Sequence, residues 1–276
     1  SARTCQLKTL EPIQGLTRAP RQGFISGLPF RRPEEDSLYC FALIQVNSYE
    51  TGLMRMQYQK RAGIFGCDEY SVFSSEAVPV APGVQTAPVN SDLKCKLGGE
   101  FRTALNTHIF LAVWTGVVVE GRFRYNHWTA KVDPDSVFFP DRLRIAVHFH
   151  RDDLADANPR GVYLNNCKFG LHGPLEVFSQ RAVLSWASGS ARCVRHFDKL
   201  CSGPCQWGED MFIDQCLAKV LDVKRVDDFN LLSEAHCDSQ DWHECRGGAI
   251  AFHPFKNEEE QIACMANATM VTAFRA

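Results

Sequence analysis

Residues 38–46 read LYCFALIQV, an apolar run with almost no interruption, and such a run is what a strand buried on both faces of a parallel sheet requires. It stops at Asn47-Ser48. From Glu50 to Phe65 the residues Leu53, Met54, Met56, Ile64 and Phe65 sit among Arg, Gln and Lys, which predicts a helix ending near Gly63 or Gly66. The next strand is YSVFSS (70–75). Strand, helix and strand with short connections make the βαβ unit of an α/β sheet, whose ligands bind beyond the carboxyl ends of the strands. The expected fold class is therefore α/β, with a Rossmann-like, mixed but mainly parallel sheet and helices on both faces.

Working outward, residues 1–37 hold Pro12, Pro20, Pro29 and Pro33 with no sustained period and read as an irregular lead or stem, leaving 38–276 as one domain. Residues 76–100 are rich in Pro, Val, Ser and Gly and read as a loop; Phe101 to Glu120 reads as a helix. Trp128 to Val132 is the next strand, and its carboxyl end delivers Asp133-Pro134-Asp135 before a proline-started segment at Pro140. His148-Phe149-His150 alternates as a surface or interface strand would. Beyond lie a strand at Val162 to Asn165, a glycine-rich turn at 170–173, a strand and helix from Leu175 to Ala187, a cysteine-rich loop, and a helix from about Glu209 to Leu221.

With 276 residues, 45% of them hydrophobic, the chain can bury a substantial core, which excludes disorder, collagen and a bare coiled coil. Its 30 Lys and Arg against 32 Asp and Glu give a net charge of −2, and without a dense basic run this argues against a nucleic-acid or anionic-membrane partner. Twelve cysteines indicate an oxidising compartment, and the sequon Asn267-Ala268-Thr269 points the same way. The first residues, SARTCQLKTL, lack the layout of a signal peptide, so the expectation for a luminal protein is a targeting segment outside these residues. Cys193, His196, Cys201, Cys205, His236, Cys237, His243 and Cys245 allow a zinc cluster, but they lack the paired knuckles of a zinc ribbon, and disulfides are the better reading. A Cys201–Cys205 bridge would stiffen the loop ahead of Glu209.

The chemistry gathers at a few positions. Asp133 and Asp135 are two apart, so in extended backbone they point to one side and offer hard oxygen ligands to Mg²⁺ or Mn²⁺ bridging phosphate oxygens. An acidic turn has the same sequence. Gly170 and Gly173 permit close backbone approach to a ligand. Glu209 and Asp210 open an apolar-periodic helix, where the helix dipole alone would favour carboxylates. His253, ahead of Pro254, adds one nitrogen to an oxygen-lined site, which suits Mn²⁺ better than Ca²⁺; Lys256 stands two residues on. No Gly-x-Ser-x-Gly elbow, Walker loop or His-Glu-x-x-His occurs.

HWTAKVDPDSVFFP (127–140), FGLHGPLEVFS (169–179), WGEDMFIDQCL (207–217) and AFHPFK (251–256) resemble, in order, the Asp-x-Asp stretch, glycine loop, Glu-Asp motif and C-terminal His of GT-A-fold nucleotide-sugar glycosyltransferases of the fringe and core-1 galactosyltransferase-like group. The resemblance runs from Leu38 to Lys256. It implies a GT-A fold and transfer of a sugar from a UDP-sugar to a hydroxyl of a glycan or glycoprotein acceptor. It implies Mn²⁺, or Mg²⁺, on Asp133, Asp135 and His253, with Asp210 as general base of an inverting displacement. Donor contacts would come from Val46, Asn47, Ser74, Lys131, Asp133, Gly173 and Lys256. The sugar, the acceptor and the linkage are expected to be set by a few loop side chains, including some in 76–100 and 189–208. It further implies a Golgi lumenal enzyme held as a type II membrane protein. Pro134 departs from the three consecutive acids of that group and is similar to transferases acting on hydroxyproline or serine, which leaves a retaining reaction open. A lumenal carbohydrate-binding protein without turnover is the alternative from another class.

Overall fold

A computed structural model describes residues 36–100, 102–154 and 157–273, all within the unit Arg32–Ala276. The expected lead over 1–37 falls outside the described residues except for Asp36 and Ser37. In chain order the chain forms β1 (Leu38–Leu43), α1 (Tyr49–Lys60), β2 (Glu69–Ser74), β3 (Pro79–Ala81), β4 (Val84–Gln85), β5 (Ala87–Pro88), β6 (Leu97–Gly98), β7 (Thr103–Ala104), α2 (Thr107–Glu120), β8 (Trp128–Val132) and β9 (Val137–Phe138). There follow α3 (Pro140–Phe149), β10 (Val162–Asn165), β11 (Leu175–Ser179), α4 (Gln180–Leu200), α5 (Glu209–Gln215), β12 (Lys224–Asp227), β13 (Leu232–Ser233), β14 (Ala251–Phe252) and α6 (Glu258–Ala273).

The main sheet has the order β12-β10-β11-β8-β1-β2-β5. β11 runs antiparallel to both β8 and β10, and the other pairings are parallel. The expected α/β fold, with a mixed and mainly parallel Rossmann-like sheet, is therefore present. Alternation along β1 divides its apolar run between two cores: Tyr39 and Phe41 pack with α2, α4 and α5, while Leu38, Cys40 and Ala42 pack with α1 and α3. In β8, Trp128, Ala130 and Val132 join the second core, so Lys131 projects to the face of the first. From β1 the chain steps to β2 on one side and later to β8 on the other. That reversal leaves a crevice at the carboxyl ends of β1 and β8.

A second, three-stranded sheet, β13-β14-β9, sets the site. β14 pairs antiparallel with β9, Phe252 opposite Val137, so the residue after β14 meets the residues before β9. α6 covers this sheet through a core of Val137, Phe252, Phe255, Cys264 and Ala268.

Several local expectations are corrected. α1 stops at Lys60 because Arg61 takes a left-handed conformation (φ 52°) and caps it; Gly63–Gly66 is a separate 3₁₀ turn. The helix expected from Phe101 begins at Thr107, since Thr103–Ala104 pair with Leu97–Gly98, and short strands also cross the segment 76–100. His148 and Phe149 end α3 and His150 caps it: Pro140 sits in the first turn, and Leu143 and Val147 bury one helical face. The helix after β11 runs to Leu200, so residues 189–200 are helix and not loop. The helix opening at Glu209 becomes a π turn at Cys216–Val220.

Five disulfides lie among the described residues: Cys40–Cys67, Cys167–Cys237, Cys193–Cys216, Cys201–Cys205 and Cys245–Cys264. They replace the zinc alternative, include the Cys201–Cys205 bridge, and fit an oxidising secretory environment. Among the described residues Cys95 has no disulfide partner, and it is exposed. No helix among the described residues is long and apolar enough to cross a membrane.

Candidate active site

Asp133 and Asp135 leave the carboxyl end of β8, and His253 follows β14. The two sheets bring potential ligand atoms of all three within 4.8 Å of one another. Backbone bonds fix the approach: Phe255 N donates to the Asp135 carbonyl (2.8 Å), and Asp133 N donates to the Pro174 carbonyl (3.1 Å). Pro134 is held from beneath, its carbonyl accepting from the side-chain amides of Gln57 (2.9 Å) and Gln261 (3.0 Å).

His253 is oriented by a carboxylate that the motif reading did not include. Its Nδ1 lies 2.9 Å from Glu234 Oε2, so an Nδ1 proton donates to Glu234 and Nε2 faces Asp135 Oδ1 at 3.4 Å. Glu234 in turn meets His172 Nδ1 through Oε1. Burial disfavours the His253 imidazolium, but hydrogen bonds to Asp135 and Glu234 and the Asp133 charge outweigh it and hold the pKa at about 9. Burial likewise acts against the Glu234 carboxylate, yet bonds to His172 and His253 keep its pKa at about 2. Asp135 is drawn below the ordinary carboxylate value despite burial by its bond to His253 and by Lys256. The donor set is therefore two carboxylates and an imidazole nitrogen with a carboxylate behind it, which fits Mn²⁺ or Mg²⁺, the nitrogen favouring Mn²⁺. The His253–Pro254 peptide is cis.

The opposite rim is the start of α1, which Ser48 caps by accepting from Glu50 N (3.2 Å). Tyr49 Oη donates to Asp135 Oδ2 (3.4 Å). Glu50, whose Oε2 accepts from Gln45 N, has its pKa raised to about 7 by burial and by the Asp135 and Asp133 charges, against the lowering Gln45 bond. Tyr49, Glu50 and Glu234 thus join the site without belonging to any motif, and His172 joins it from within the 169–179 stretch.

Asp210 lies in the first turn of α5, half-buried. Its Oδ1 accepts from Met211 N (2.7 Å) and its Oδ2 from Gly173 N (3.3 Å). A Cβ on Gly173 would sit 3.2 Å from Lys131 Nζ and 3.3 Å from Glu209 Oε1, so glycine is what lets this loop close on the site.

The expected donor-contact residues divide by exposure. Asn47, at φ 60°, and Lys256 are exposed and Val46 is half-buried, at the turn after β1 and at the rim beside His253. Ser74 is fully buried, and its hydroxyl donates to the Ile44 carbonyl (2.7 Å). It holds the end of β1 and presents no hydroxyl to the crevice. Lys131 is 2% exposed; Nζ donates to the Gly173 carbonyl (2.6 Å) and Glu209 Oε1 (2.6 Å) and lies 2.8 Å from Asp133 Oδ1. Its ammonium organises the site from within and does not open to solvent.

No family model matches the chain, and no curated protein matches it. Among solved structures it is similar to a glycosyltransferase involved in the glycosylation of the major capsid of PBCV-1, at 10% identity over 83% of this chain and 99% of that one, with a TM-score of 0.43. It is also similar to a cytidylyltransferase from Leptospira borgpetersenii, at 8% identity over 70% of this chain and 74% of that one, with a TM-score of 0.34. At these levels neither likeness bears on activity.

Proposed function

We propose that the protein is a metal-dependent glycosyltransferase that moves a sugar from a UDP-sugar to a hydroxyl of a glycan or glycoprotein acceptor, with inversion at the anomeric carbon. The observation that carries this reading is the meeting of Asp133, Asp135 and His253 at the carboxyl end of β8. Such a site, at the crevice of a Rossmann-like sheet, suits a divalent ion bound to a diphosphate. Mn²⁺ or Mg²⁺ held by these three side chains would supply Lewis-acid stabilisation of the leaving diphosphate.

The chain's own residues account for the rest. Val46 and Asn47 take the nucleoside at the end of β1, and exposed Lys256 faces the diphosphate. Gly173 brings backbone close to the sugar. Asp210 is the general base: its oxygens are steadied by the Gly173 and Met211 amides, and a remaining lone pair takes the acceptor's hydroxyl proton. The acceptor oxygen then bonds to the anomeric carbon as the bond to the diphosphate oxygen breaks, the electron pair leaving with UDP. The motif likeness to fringe and core-1 galactosyltransferase-like enzymes supports inversion. The five disulfides support a secretory lumen, and with the motif likeness we assign the Golgi.

The test is thermal unfolding against a panel of nucleotides and nucleotide sugars with Mn²⁺ or EDTA. A ligand at 100 times its Kd adds about 2.7 kcal/mol. A Mn²⁺-dependent shift with UDP and one UDP-sugar, lost in Asp135→Ala, is expected; no shift with any nucleotide in folded protein overturns the proposal. With the donor known, NMR of the product anomer tests inversion.

A further inference from the structure

Beneath Gly173 three charged side chains are shut away from water. Lys131 on β8 and Glu176 on β11 stand opposite one another in antiparallel register, and Glu209 opens α5. They are 2%, 0% and 5% exposed. An ammonium has three protons to donate. Lys131 Nζ has three close acceptors, the Gly173 carbonyl and Glu209 Oε1 at 2.6 Å each and Asp133 Oδ1 at 2.8 Å. Glu176 Oε1 stands outside that set, at 3.8 Å. Both oxygens of Glu176, and Oε2 of Glu209, are buried and have no donor among the described residues.

Two ionised carboxylates so placed would leave three buried acceptor atoms unsatisfied and one negative charge uncompensated. One proton cancels the surplus charge and settles two of the three atoms, the Glu176 oxygen that carries it and Glu209 Oε2, and it leaves the third as the carbonyl oxygen of a neutral acid, where a missing donor costs less than on a carboxylate. Burial, the Glu209 charge and a bond to Glu209 push the Glu176 carboxyl well above its ordinary pKa, against the Lys131 charge. Burial and the Asp210 charge raise Glu209 as well, but Glu209 holds the Lys131 ammonium at 2.6 Å while Glu176 stands at 3.8 Å, so the proton belongs on Glu176. The titratable groups that act on Glu176 are Lys131 from β8 and Glu209 and Asp210 from α5.

We propose that Glu176 is a neutral acid that donates a hydrogen bond to Glu209 Oε2 and serves as a positioning residue for the transfer. Through Glu209 it fixes Lys131, which holds the Asp133 carboxylate and the Gly173 carbonyl together. The same glycine's amide steadies Asp210. One proton on β11 thus sets the spacing between the metal-facing carboxylate and the base. The positioning role rests on the proposed glycosyltransferase function; the location of the proton does not.

Infrared difference spectroscopy of wild type against Glu176→Gln is the direct test. At neutral pH the wild type should show a carboxylic acid C=O stretch that is missing in the variant. An amide is also neutral and can donate one bond to Glu209, so Glu176→Gln should keep its thermal midpoint and retain kcat within about twofold. Glu176→Leu leaves Glu209 Oε2 without a donor and should lower kcat about tenfold or more with donor KM unchanged. Absence of the acid band, or a Glu176→Gln variant that loses as much kcat as Glu176→Leu, overturns the inference. If the wild type binds and turns over no nucleotide sugar, the function falls instead, and the infrared band still decides where the proton is.

Discussion

Glu234 Oε2 lies 2.9 Å from His253 Nδ1, and this contact leaves His253 Nε2 turned toward the Asp135 carboxylate at 3.4 Å. A carboxylate behind an imidazole fixes which nitrogen is presented and makes it a better ligand. Glu234→Gln should therefore weaken Mn²⁺ binding by about 10- to 100-fold while every metal-facing residue remains in place. Titration calorimetry or Mn²⁺ EPR in the absence of nucleotide measures this. Unchanged Mn²⁺ affinity would remove Glu234 from the site.

Asp210 should be separable from donor binding. It touches the Gly173 and Met211 amides, and the ligand triad does not include it. Asp210→Asn keeps an oxygen to accept those bonds but cannot take a proton, so kcat should fall about 10²- to 10⁴-fold. The Mn²⁺-dependent thermal shift with UDP should survive. A variant with near-normal turnover would favour a retaining reaction, in which Asp210 positions substrate.

Gly173→Ala tests how tightly the loop is closed. The added methyl would meet Lys131 Nζ at 3.2 Å and Glu209 Oε1 at 3.3 Å, two atoms bonded to each other in a buried cluster. Overpacking of this kind costs about 1–3 kcal/mol. In a domain of this size that corresponds to a fall in midpoint of roughly 2–4 °C per kcal/mol. Transfer should be lost more completely than stability, because the Gly173 amide steadies Asp210. Calorimetry and a steady-state assay read the two effects separately.

The sequence made the main sheet legible where burial on both faces leaves a plain apolar signature, as at Leu38–Leu43, and Trp128–Val132 and Val162–Asn165 also form strands over the residues expected. It also singled out Asp133, Asp135 and His253, whose ligand atoms the structure brings together. What it hid depends on long-range pairing. Glu234 reaches His253 only because two-residue strands, β13 and β14, pair side by side, and strands that short carry no periodicity. Glu176 did leave a signal, a single charge inside the apolar strand LEVFS, where a carboxyl must find a partner in the interior. His148-Phe149-His150 misled because three residues of alternation fit a helix as well as a strand, and Pro140 with Leu143 and Val147 decided for the helix.

His150 makes the remaining prediction. Its Nδ1 lies 3.0 Å from Asp153 Oδ2 and its Nε2 3.0 Å from Asp228 Oδ2, so the end of α3 is tied to the end of β12 by an imidazole flanked by carboxylates on both sides. Only the imidazolium can donate both bonds. The bond to Asp228 chiefly, and that to Asp153, raise the His150 pKa against burial. A raised histidine contributes stability that is fully present below its unfolded pKa, about 6.5, and is lost as pH rises through the folded value. Asp228, lowered chiefly by the same bond, and Asp153, lowered by Lys224 and His150 despite burial, act in the opposite sense. Their contribution is present above the ordinary carboxylate pKa of about 3.9 and disappears as pH falls. The tie should be strongest between about pH 4 and 6.5. His150→Gln should cost roughly 1–2 kcal/mol near pH 6 and less at pH 9, because the loss shrinks as pH rises through the folded His150 value and a neutral imidazole holds only one of the two bonds. Denaturant unfolding of both proteins at the two pH values measures the difference. An equal loss at pH 6 and pH 9 would show that the imidazole does not change its charge between them and would overturn this pH dependence.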